Sequence, residues 1–130
     1  MTVNEIKKYR KKDACSYCLG SFPTFELLRA RPETAEMVLL HSNAKTELRK
    51  ELELACKGAG IGIVCSDRFV EKLRDKDKCI VIGVFKKYEC TLEHNANHVV
   101  LVNPGDMGNL GTIIRSCVGF GITNLALILI

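Results

Sequence analysis

Between Ala44 and Ala59 the apolar residues recur on a single helical face. Ala44, Leu48, Leu52, Ala55, Cys56 and Ala59 share it, while Lys45, Arg49, Lys50, Glu53 and Lys57 fall elsewhere. Gly58 and Gly60 end this helix. On either side the period changes. Met37–His41 and Ile61–Cys65 are short apolar runs, and Cys79–Phe85 is apolar on both faces; each predicts a strand. Between the last two, Ser66 or Asp67 caps a helix that turns Phe69, Val70 and Leu73 inward. Upstream, Phe22–Leu28 predicts a short helix with Pro23 in its first turn. It ends by Arg31, because a residue preceding proline is pushed out of helical geometry. Strands alternating with amphipathic helices indicate a layered α/β domain that closes near Tyr88.

Residues 89–97 show little apolar periodicity and read as a linker. Val99–Val102 then opens a second unit of strand, tight loop, helix and strand. In its helix Leu110, Ile113, Ile114, Cys117 and Val118 repeat at helical spacing, closed by Gly119 and Gly121. Asn124–Ile130 is almost continuously aliphatic, the pattern of a strand buried on both faces of a parallel sheet. Its far face calls for helices that this sequence does not contain, and termini are normally surface features, so the expectation is of an interrupted domain.

Composition narrows the class. With 47% hydrophobic and 26% charged residues the chain is an ordinary globular mixture rather than a disordered one. Its charge is unevenly placed. Lys7, Lys8, Arg10, Lys11 and Lys12 crowd the N-terminus, whereas Asp106 and Arg115 are the only Asp, Glu, Lys or Arg from His98 onward. Residues 1–12 are therefore expected to form a solvated basic arm able to touch RNA phosphates. A net charge of +4 is compatible with a nucleic-acid partner without requiring one. Seven scattered cysteines with no secretory signal ahead of them favour a reducing, cytoplasmic setting. The apolar run Leu125–Ile130 is too short to span a bilayer, and no membrane partner is expected. Cys15 and Cys18 have CxxC spacing and His94 and His98 lie four apart, but without a closer second ligand pair no metal site is expected. His41 reads as a polar strand terminus.

The richest chemistry lies in Asn103–Arg115. A glycine-rich loop between a parallel strand and a helix can bring backbone N–H groups up to an anion or nucleotide. Gly105, Gly108 and Gly111 are spaced G-x-x-G-x-x-G, which is neither the dinucleotide fingerprint nor a phosphate-binding loop. A purely structural turn and a ligand cradle both stay open on that pattern. Arg115 is an isolated guanidinium off the apolar stripe. It either pairs with a carboxylate, of which Asp106 is the one nearby in sequence, or receives a phosphate or carboxylate ligand.

Asn109–Ser116, followed by Phe120-Gly121-Ile122, resembles the first signature motif of the SpoU/TrmH branch of the knotted (SPOUT) RNA methyltransferases. Residues from about Phe25 to Tyr88 resemble the substrate-binding domain that precedes it in many of these enzymes, whose fold is similar to small RNA-binding ribosomal proteins. The resemblance implies an α/β protein. A small three-layer RNA-substrate-binding domain is followed by the first strand–helix–strand of a parallel-sheet knotted methyltransferase domain. The divisions are a basic arm at 1–12, the substrate domain at 13–88, the linker at 89–97 and the partial catalytic domain at 98–130. The implied activity is transfer of a methyl group from S-adenosylmethionine to a ribose 2′-hydroxyl of rRNA or tRNA, in a parent protein that is a homodimer. The catalytic residues of motif one fall on Asn109 and Arg115. Motifs two and three, which in the family form the knot, most of the methyl-donor pocket and much of the dimer face, do not occur in this sequence. Cofactor-binding residues are thus unassigned, and the chain alone is expected to be inactive. A ribose hydroxyl is a poor nucleophile that must be aligned and relieved of its proton. Arg115 suits positioning better than base catalysis, because guanidinium keeps its proton in proteins. The rival readings are a non-enzymatic RNA-binding module and a nucleotide-binding α/β fragment unrelated to methylation.

Overall fold

In the computed structural model, which describes residues 1–130, the chain divides into two units, Met1–Tyr88 and Glu89–Ile130. The first is built on a four-stranded mixed sheet. Edge strand β1 (Cys15–Leu19) pairs antiparallel with β4 (Val81–Lys86). Strand β4 pairs antiparallel with β2 (Ala35–Leu40), and β2 runs parallel to β3 (Ile63–Cys65). A parallel neighbour needs a crossover, supplied here by α2 (Thr46–Ala59). Helix α1 (Ser21–Ala30) joins β1 to the sheet centre, and α3 (Asp67–Leu73) follows β3.

Alternation along β2 and β4 sorts the core into two layers. Met37, Leu39, Ile82 and Val84 face one side with Val70, Phe69 and Leu73 of α3. Val38, Leu40 and Val81 face the other with Leu28 of α1 and Leu52 and Cys56 of α2. The first unit is therefore a three-layer α/β sandwich. Its helix ends follow local chemistry. The Ser66 hydroxyl accepts the Phe69 N–H at 3.3 Å as the cap of α3, and Gly60 ends α2 in the left-handed region at φ 72°. Arg31, ahead of Pro32, leaves helical geometry as expected.

Two features depart from the sequence expectation. Cys15–Leu19, for which the sequence predicted no element, is a strand, and residues three apart on a strand face opposite sides, so the two thiols diverge. The basic segment is not a free arm either. Val3–Glu5 forms one turn of 3-10 helix, Ile6 is buried in the core beside α3, and the terminal amine pairs with Glu36 at 3.2 Å. The reason is coverage: seven-residue α3 is too short to shield its side of the sheet alone, and Val3 and Ile6 complete that layer.

The second unit is β5 (His98–Val102), α4 (Met107–Gly119) and β6 (Asn124–Ile128), the two strands parallel with Val100 opposite Ala126. Helix α4 starts three residues earlier than its apolar pattern suggested, because Asp106 caps it. Cys117 is buried and Leu110 and Ile113 are half-buried, but Ile114 and Val118 are exposed. Strand β6 is not buried on both faces in this chain: Leu127 and Ile128 are exposed, as are Val100 and Val102 of β5. A two-stranded sheet with one helix has apolar residues for two layers and covers only one. Residues 89–97 do not stand apart as a linker. The Glu93 N–H donates to Oδ1 of buried Asn124 at 2.9 Å, which ties the segment to β6. No helix of the chain is long and apolar enough to cross a membrane.

The α2 register has a direct test. Leu52 is fully buried and Leu54, two residues on, is 74% exposed. Leu52→Ala should destabilise the first unit by about 2–5 kcal/mol, while Leu54→Ala should stay within about 0.5 kcal/mol of the parent. Urea denaturation of the two variants measures this; equal losses would mean the helix is rotated from the described face.

Candidate functional site

The glycine-rich loop runs from the end of β5 into α4. Asn103 holds a left-handed conformation at φ 49°, and its side-chain oxygen accepts the Ile130 N–H at 2.8 Å. Asp106 Oδ1 accepts the Asn109 N–H at 2.7 Å, closing the first turn of α4. The loop's carboxylate is thus committed to capping. Gly108 has a packing reason to be glycine, since a Cβ there would sit 3.1 Å from that carboxylate oxygen. Gly105 and Gly111 have none: a Cβ at either would meet no atom within 4 Å, and neither has a positive φ. The Thr112 and Ser116 hydroxyls bond back to the carbonyls of Gly108 and Thr112, each at 3.0 Å.

Asn109 lines a cavity of about 310 Å³ with Leu101, Pro104, Asp106, Leu110 and Ile113. Arg115 is exposed on the same helix and does not line it. Six residues of helix set the two about 120° apart around the axis and ~9 Å along it. They share an element, and both are exposed, but they do not converge on one point.

The five basic residues of the N-terminal segment, Lys7 to Lys12, separate into two groups. Lys7 and Arg10 pair with Asp13 at 3.3 and 3.4 Å. Partial desolvation pulls the Asp13 carboxyl upward, but the hydrogen bonds and charges of Arg10 and Lys7 outweigh it and hold the group below its ordinary value. Lys8, Lys11 and Lys12 are exposed without carboxylate partners, although the Lys11 carbonyl accepts a bond from Lys87 Nζ at 2.8 Å. Three free ammonium groups therefore stand on an anchored segment, which lowers the ordering cost of meeting a polyanion.

No family model matches this chain, and no curated protein does. Among solved structures it is similar to a protein of unknown function from Bacillus halodurans, at 20% identity and a TM-score of 0.43, over 54% of this chain and 71% of that one. So distant a likeness carries no argument about function.

One cluster was not legible beforehand. His41 is buried at the end of β2, with Nε2 3.1 Å from Glu71 Oε1 and Nδ1 accepting the Asn43 N–H at 3.1 Å. Beside it the Ser42 hydroxyl donates to Asp67 at 2.6 Å and the Ser42 N–H at 2.8 Å. The reading of His41 as a plain polar strand end missed these partners. They meet because β2 and β3 are parallel, which sets their C-terminal ends side by side and brings α3 next to Ser42. A strand–helix–strand pattern carries that signal, if the parallel pairing is assumed.

The Ser42 hydroxyl and N–H together hold the Asp67 carboxyl below its ordinary value. A lowered folded value means this contribution to stability is present above the unfolded pKa of about 3.9 and is lost as pH falls through the folded one. Ser42→Ala should raise the Asp67 pKa toward that unfolded value. Carboxyl-carbon NMR titration reads it directly; an unmoved pKa would mean that the Ser42 hydroxyl is not what holds the group.

Proposed function

We propose that residues 89–130 are the opening segment of a SpoU/TrmH-type RNA ribose 2′-O-methyltransferase domain, and that residues 1–88 form the RNA-substrate domain preceding it. The observation that carries the reading is the state of the Asn109–Ser116 motif. Its glycine at 111 sits in a helix interior, where it costs about 1 kcal/mol relative to alanine, and no packing in the unit requires it. Its arginine is exposed, and the nearby carboxylate that could have neutralised it is spent on the helix cap. Surface left open beside an unneutralised guanidinium suits close approach by a phosphodiester. Arg115 would grip the phosphate next to the reacting ribose in a two-pronged fork. Asn109, about one and two-thirds turns earlier on the same helix, would bond to the sugar.

The methyl comes from S-adenosylmethionine when that donor is bound. The residues of this chain do not by themselves fit it. The cavity beside Asn109 is walled mainly by apolar side chains and contains no cation for the donor's carboxylate, and Asp106 is already engaged. On this reading the donor contacts belong to motifs two and three. The knotted architecture and the dimer of the parent protein belong to the proposal in the same way.

The test is single-turnover methylation of cellular rRNA and tRNA by the gene product as the cell makes it, beside its Arg115→Lys variant. Lys keeps the charge and the helix propensity but loses the planar fork. The rate should fall ~100-fold, the scale of misplacing a reacting group by about an ångström, with the melting temperature unchanged. A parent protein that transfers no methyl to RNA ends the proposal in favour of an RNA-binding module. A variant of near-normal rate would remove the positioning role of Arg115.

A further inference from the structure

Outside the glycine loop, the first unit carries a groove of about 430 Å³ between its anchored N-terminal segment, β1 and the end of α3. That size lies within the range of about 300–1,000 Å³ typical of small-ligand sites. Leu19, Leu73 and the Tyr17 ring give it an apolar floor, and the Tyr9 ring forms part of the wall. Tyr9 is 51% exposed yet not loose. The Lys87 ammonium lies 4.6 Å from its ring centre, and Lys87 is itself bonded to the Lys11 carbonyl. Tyr17 is fixed by its hydroxyl, which donates to the Lys7 carbonyl.

The charges around this floor are unequal. Lys8 and Lys72 line the groove and take part in no ion pair, whereas the lining's one carboxylate is Asp75. Arg74, also in the lining, is drawn toward Asp77 at 3.6 Å and Glu71 at 4.0 Å. An apolar lining, an aromatic ring held from one side by Lys87 and two unpaired ammonium groups suit a ligand with a planar ring and flanking negative charge. We infer that this groove binds one unpaired nucleotide of a single-stranded RNA segment, its base against Tyr9 and Leu19 and its phosphates on Lys8 and Lys72. A duplex presents phosphates outward and stacks its bases on one another, so it would engage the lysines and leave the floor empty. An acidic peptide would do the same.

The inference rests on the RNA reading of the first unit but not on methyl transfer, and its test reads binding only. The full chain is titrated into a fluorescein-labelled single-stranded RNA heptamer and into an RNA duplex of equal phosphate number, by anisotropy. The single strand should bind at least tenfold tighter. Tyr9→Ala should weaken single-strand binding about tenfold with an unchanged melting temperature, while Tyr9→Phe should bind normally, since stacking needs the ring and not the hydroxyl. Lys72→Gln should lower the salt slope by about one, and Lys50→Gln on the far helix α2 should change nothing. If the chain binds neither RNA, the RNA reading and this inference both fall. If it binds RNA but Tyr9→Ala matches the parent, or duplex binds as well as single strand, the groove assignment alone is overturned.

Discussion

The first unit depends on β2 being buried on both faces. Val38, Leu39 and Leu40 have no exposed surface, and successive residues of a strand must point into opposite layers. Each such side chain is worth roughly 1.5–3 kcal/mol when buried, so neither layer can be left open. On one side the crossover helix α2 and helix α1 supply cover. On the other, α3 is only seven residues long, and the chain uses its own beginning, through Val3 and Ile6, to finish the layer. That need for coverage carries consequences beyond stability. It pins Lys7 to Lys12 against the domain, sets the Tyr9 ring beside the Lys87 ammonium, and forms the groove lined by β1 and the end of α3.

What could be read in advance follows the same physics. Elements whose identity is set by their own residues were legible: the amphipathic α2 with its glycine stop, the short apolar run of β2, the doubly apolar β4, and a cap for α3 at Ser66 or Asp67. Elements set by a distant partner were not. Cys15–Leu19 has no periodic signal; it is a strand because β4 needs an antiparallel neighbour more than sixty residues away in sequence. Val3 and Ile6 are two apolar residues in a charged stretch, so local charge density concealed their burial. His41, Ser42, Asp67 and Glu71 come together through strand order, which no local pattern encodes.

The candidate site divides along the same line. Asn109 and Arg115 could be named from their motif, and a helix start at Asp106 could have been read from an acidic residue placed three before Asn109. Gly108 and Gly111 masked that start, because glycine argues against helix on propensity alone. What no residue pattern could give is divergence: the two named residues lie on different sides of α4, and only one of them reaches the cavity beside the loop. A substrate touching both would have to pass about a third of the way around the helix and ~9 Å along it, rather than enter the cavity.

The glycines sharpen this point by comparison within one chain. Gly83, at the centre of the first unit, is required by packing, since a Cβ would come within 3.2 Å of both Leu27 and Thr24 in a layer with no slack. Gly60 and Gly121 are required by positive φ. Gly108 makes room for the carboxylate that caps its own helix. Gly105 and Gly111 meet none of these needs, although Gly111 weakens a helix that has little tertiary support. A cost with no return inside the unit is evidence about what lies outside it. Glycine's remaining virtue is that another molecule can come up to the backbone itself. Gly111 lies one turn before Arg115 on the same face of α4, so the surface it clears adjoins that exposed guanidinium.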